Sequence, residues 1–226
     1  MIRDMNQQLL DELLAMAKRD SETRARLLAA GKLYGDYAEE MQRVHKENAK
    51  RLDEIVDTYG WPGIALVGLE GCRAAWLVAQ HAICTPALQR KFHAVMEQAV
   101  ESGDVPKRLL ACLTDRIRFN ENRPQLYGTV LAWNEMGELT CELEDPANVD
   151  ARRTEVGLPP FEEDLAKHRE EVEREGGKAR FERRTTNNPI WLATRVTLDE
   201  VTTRCDVRFW HKADMLLILR NVRFRG

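Results

Sequence analysis

The chain lacks the spacing of a disulfide or zinc scaffold. Its five cysteines (Cys72, Cys84, Cys112, Cys141 and Cys205) include no CxxC pair and are odd in number. That points to reduced thiols in a cytosol. Only five histidines are present and none is spaced as HxxxH or HExxH, so neither a metal site nor a cofactor is expected. No window approaches the roughly 18 uninterrupted apolar residues of a membrane span, which excludes that kind of membrane protein. The opening MIRDMNQQLLDELL sets acids and glutamines where a secretory signal needs an apolar stretch, and a cytoplasmic location is expected. Gly68 and Gly71 are followed by no GK[ST], so they form no phosphate loop of that type. No internal repeat is found.

What is present is the material of a globular protein. The 226 residues are 43% hydrophobic and 31% charged, enough for one domain with a real core and some chain to spare. The net charge of −3 hides an asymmetry. Residues 1–175 carry 23 basic against 32 acidic side chains, and residues 176–226 carry 11 against 5. An acidic body argues against nucleic acid as its partner, since phosphate binding needs a basic footprint.

Apolar spacing of three and four marks helices at 4–18 and at 36–58. Asp20 is placed to cap a separate second helix from Ser21 to about Ala30. Gly60 and Pro62 end the long helix. Another spans roughly 70–83, Thr85-Pro86 starts the one that runs to about Ser102, and Asp104 opens a short one. From Asp115 the pattern alternates between turn signals, which predicts antiparallel strands at about 116–120, 125–133 and 138–143. Helices near 147–156 and 160–175 follow. The expected fold is α+β and mainly helical: a helical domain over residues 3–175 with a small late antiparallel sheet (about 116–143), then a poorly ordered basic tail, 176–226.

Some of these residues occur together in a recognisable order. Gly60-Trp61-Pro62, Trp76-Leu77 with Gln80-His81-Ala82, Gln89, Leu113-Thr114-Asp115-Arg116, and Gln125 with Tyr127-Gly128-Thr129 resemble an uncharacterised bacterial family, a domain of unknown function. The likeness runs from about Leu13 to Leu165 and brings no established activity. Two positions depart from its pattern: Ile83 stands where an acid is usual, and Val130 where a glutamine is. The tail from Cys205 to Gly226 is similar to the ends of unrelated bacterial reading frames that look translated from an intergenic repeat.

The candidate catalytic residues are His81 and Asp115. An imidazole titrates near neutrality and suits a general acid or base, and Asp115 could orient it. The plainer reading is a core histidine bonded to a carbonyl, with Asp115 and Arg116 as structural charges at a helix–sheet junction. The candidate ligand-binding residues are Trp76, Gln80, Arg116, Gln125, Tyr127 and Thr129. Arg116 could hold an anion by a two-pronged contact. Gln125, Tyr127 and Thr129 share one face if their segment is a strand, although a solvated strand face would look the same. Trp61 and Trp76 read first as core. Asp20, Arg24, His45 and Asn48 could complete the site, although capping and a surface salt bridge account for the first two.

The pocket expected from this lies between the 70–83 helix and the 125–130 strand. The function it points to is hydrolysis or group transfer on a small polar or anionic molecule. The alternative is a non-catalytic binding or protein-interaction module, or a degenerate family copy.

Overall fold

In the computed structural model the described residues are 5–32, 37–134 and 136–174. Among them lie seven α-helices and one two-stranded antiparallel sheet, the mainly helical α+β fold the sequence predicts. The proposed tail, 176–226, lies outside the described residues.

Helix α1 (Gln7–Ala29) opens on Asn6, whose side chain accepts the Leu9 amide at 3.0 Å. It runs unbroken through the position where a second helix was expected to start. The polar DSET run is absorbed inside it. The Ser21 and Thr23 hydroxyls donate back to the Ala17 and Arg19 carbonyls, a local bond these side chains make readily, while Asp20 turns inward and is buried.

Helix α2 (Glu39–Tyr59) stops at Gly60, whose φ of +74° suits glycine. The span α3 (Ile64–Gln80) is two helical pieces that meet in a kink at Gly68, whose φ of +69° and ψ of 174° are not helical, so its second piece begins close to where periodicity places a helix. At Gly71 a Cβ would meet Val67 at 2.7 Å and Leu10 at 3.0 Å, so this glycine lets α3 approach α1 closely. Residues 71–80 of α3 are all buried. They form the middle of the main core with Leu13, Leu52, Phe92, Leu109 and Leu113.

Helix α4 (Pro86–Glu101) carries proline in its first turn. Helix α5 (Lys107–Asn120) corrects the first predicted strand, since residues 116–120 continue it. The alternation in RIRFN imitates a strand, but Leu109, Cys112, Leu113 and Arg116 already define a buried helical face. The two arginines are buried by bonding their guanidinium groups. Arg116 Nε donates to Gln80 Oε1 at 3.4 Å, and Arg118 Nε to the Pro124 carbonyl at 2.6 Å. Arg118 also pairs with Glu144.

The second predicted strand shrinks to β1 (Ala132–Trp133), which pairs with β2 (Leu139–Thr140) in the register Ala132↔Thr140 and Trp133↔Leu139. Asn134 Oδ1 closes the turn by accepting the Met136 and Glu138 amides. Residues 125–131 are loop, with an isolated parallel bridge between Gln125 and Leu143. Helices α6 (Val149–Glu155) and α7 (Phe161–Arg174) complete the fold. Leu165 and Val172 of α7 cover Leu131 and Leu139 in a second, smaller core. No helix among the described residues is long and apolar enough to cross a membrane.

Candidate functional site

The nominated residues fall into two hydrogen-bonded groups. Asp115 anchors the first. From α5 its carboxylate accepts the Leu126 amide at 2.8 Å, the Tyr127 amide at 3.2 Å to each oxygen, and the Thr129 amide and hydroxyl at 3.0 Å. Burial pushes its pKa up, against these donors, which pull it down.

Gln125 completes the same loop. Its Nε2 donates to the Val130 carbonyl at 2.6 Å and its Oε1 accepts the Val130 amide at 2.8 Å. Arg153, fully buried, reaches the Tyr127 carbonyl at 2.6 Å and also bonds Pro159 and Asp164. The Gln125–Thr129 segment is therefore no strand with three side chains on one face. It is a loop whose amides wrap a carboxylate, with Gly128 at φ +68° making the wrap possible. A Cβ on Gly128 would come within 2.5 Å of the Phe161 ring.

His81 belongs to the second group, and its carboxylate partner is Asp20. His81 ends α3, and its Nδ1 lies 2.8 Å from Asp20 Oδ2. The same oxygen lies 3.2 Å from Nε2 of His45 on α2. Nδ1 of His45 meets the Tyr37 hydroxyl, so a polar chain runs Tyr37–His45–Asp20–His81 across three helices. Side-chain exposure is 1% for Asp20, 0% for His45 and 5% for His81.

The electrostatics follow from that burial. Desolvation pushes the Asp20 carboxyl up, but the two imidazoles more than offset it and hold its pKa well below the usual carboxylate range. Desolvation also lowers the His45 pKa, with Asp20 pulling the other way. Asp20 Oδ1 is buried and has no hydrogen-bond partner among the described residues. The ligand-type atoms of Asp20, His45 and His81 all lie within 4.8 Å of one another. This gathers a set of metal-ligand type that linear spacing gave no reason to expect.

The remaining candidates flank this chain. Gln80 precedes His81, its side chain accepts from Arg116, and its carbonyl accepts from Gln89. Trp76 is core: fully buried, its indole N–H donates to the Leu109 carbonyl at 2.8 Å. Asn48 donates to the Met16 carbonyl at 3.3 Å. Two cavities, of about 310 and 290 Å³, lie against the hairpin rather than between α3 and the Asp115 loop. Gln125 is the one nominated residue that lines either of them.

Sequence reasoning offered Asp20 and His45 only as residues that could complete the site, with capping as the plainer account of Asp20. The signal that finds them is their place on apolar stripes. Asp20 follows Leu13 and Ala17 at helical spacing, and His45 follows Met41, so each projects into the core. A charged group there needs a partner.

Fold and site together define a mainly helical α+β protein with a buried His–Asp–His centre. Residues 7–172 match a family of unknown function, DUF6624, and the chain belongs to that family. Comparison with curated proteins and with solved structures gives no match.

Proposed function

We propose that the protein is a cytoplasmic hydrolase or group transferase acting on a small polar or anionic molecule, with Asp20, His45 and His81 as its reacting centre. The observation that carries this reading is one carboxylate oxygen shared by imidazoles from two other helices, at 2.8 and 3.2 Å. Packing alone does not call for three polar groups converging in a core. Burying each is costly unless it is bonded, and apolar residues of similar volume would fill the space at less cost. A carboxylate on Nδ1 fixes the tautomer and orientation of the imidazole, the arrangement by which a histidine is made ready for general acid–base work.

The test is turnover of a panel of phosphate esters, carboxylate esters and amides by the full chain, repeated on His81→Asn and Asp20→Asn. Catalysis that falls at least about 100-fold in both, with unchanged circular dichroism, supports the reading. Full activity in either variant overturns it.

One observation favours a second reading. Asp20 and His45 are almost completely shut from solvent, which suits a non-catalytic module in which the same chain ties α1, α2 and α3 together. On that reading no substrate of the panel is turned over, and both variants lose several degrees of melting temperature.

A further inference from the structure

We infer that Asp20, His45 and His81 form a binding site for one divalent first-row transition-metal ion. The inference rests on the reading above for the location of the reacting centre, and it names what activates the nucleophile there. Two imidazole nitrogens and a carboxylate oxygen are the donor set of zinc, iron(II), manganese(II) and cobalt(II) sites.

The geometry is close to what such an ion needs. Ligands at 2.0–2.1 Å in a tetrahedral shell stand about 3.3–3.4 Å from one another. Here Asp20 Oδ2 is 2.8 Å from His81 Nδ1 and 3.2 Å from His45 Nε2. Displacements of a few tenths of an ångström bring these two separations to that value, all three ligand atoms lie within 4.8 Å of one another, and each ligand sits on or at the end of a different helix of the core.

A second, independent observation points the same way. Asp20 Oδ1 is a buried carboxylate oxygen with no hydrogen-bond partner among the described residues. Such an atom is costly to bury, and a cation beside it removes the cost. Tyr37 supplies the outer contact that ligating histidines normally make. With Nε2 of His45 on the metal, its Nδ1–H donates to the Tyr37 oxygen across the contact found at that position.

Binding takes neutral imidazoles and an ionised carboxylate, so any proton held between Asp20 and the rings passes to solvent. Three protein ligands leave a fourth position for water. The ion lowers the pKa of that water toward neutrality and so provides the hydroxide that a hydrolytic reaction uses.

The test uses the full chain, stripped with a chelator and dialysed, then titrated separately with Zn²⁺, Mn²⁺ and Co²⁺, with Mg²⁺ and Ca²⁺ as contrasts. The expected result is saturation at one ion per chain by calorimetry and a rise in melting temperature, strongest for the transition metals. Asp20→Asn and His45→Gln should each weaken binding at least 100-fold. Tyr37→Phe should weaken it about 10-fold while leaving the ligands in place.

If the ligand variants do not fold, the visible spectrum of the Co²⁺ form of the natural chain decides. Nitrogen and oxygen ligands give d–d bands alone, whereas a thiolate-to-cobalt charge-transfer band places the ion on a cysteine and overturns the site. Absence of saturable binding overturns it too, as does undiminished binding by Asp20→Asn. Stoichiometric binding with no turnover leaves the metal site standing and removes the hydrolase reading. Turnover by metal-free protein that binds no ion does the reverse.

Discussion

Replacing Asp115 with alanine tests whether this carboxylate works on the loop rather than on His81. Its two oxygens accept three backbone amides and one hydroxyl from Leu126, Tyr127 and Thr129. A hydrogen bond to a charged acceptor contributes about 1.5–3 kcal/mol. Four such bonds do not add, because they share one acceptor and one loop. Single substitutions seldom cost more than about 4–5 kcal/mol, so the expected loss is about 3–5 kcal/mol. For a folded body of this size each kcal/mol lowers the melting temperature by about 2–4 °C, which gives a drop of roughly 6–20 °C. Asp115→Asn should fall between alanine and the natural residue. One oxygen still accepts, but the new amide group faces N–H donors. The assay is thermal unfolding followed by circular dichroism. A drop under about 2 °C for the alanine variant would refute the reasoning, because amides that wrap a carboxylate in the structure cannot lose it at no cost.

Two further outcomes are expected. Arg153→Lys removes a planar fork that bonds the carbonyls of Tyr127 and Pro159 and the Asp164 carboxylate, and one ammonium cannot span all three. The variant should lose about 2–4 kcal/mol in urea unfolding, and an unchanged midpoint would show that the fork is dispensable. The Cys72 thiol, fully buried, is pushed by desolvation from its usual value near 9 up to about 11. The folded state thus holds the thiol proton more tightly than the unfolded chain does. The stabilisation is whole below pH 9 and is lost as pH rises through about 11, at most about 2–3 kcal/mol. Urea unfolding at pH 8 and pH 11 should show that loss in the natural chain, and Cys72→Ala should flatten it.

The sequence by itself determined most of the helical frame. Apolar stripes at spacings of three and four, Gly60 before Pro62, and Thr85-Pro86 locate α2, α4 and the buried run of α3, because these signals act within a few residues of where they are read. It misled where a local pattern had two readings. RIRFN alternates like a strand yet continues α5, and DSET looks like a cap yet sits inside α1. In each case side-chain bonds to distant or preceding groups outweigh the local preference.

The family pattern marked His81, Asp115, Gln125 and Tyr127 as belonging together, but not how they are divided. Only the tertiary structure decided that Asp115 serves the loop, and that the carboxylate beside His81 comes from α1. Asp20, His45 and His81 lie on three helices, far apart along the chain. Helical period sets which way each side chain points, and nothing short of the packing of α1, α2 and α3 against one another sets whether the three meet.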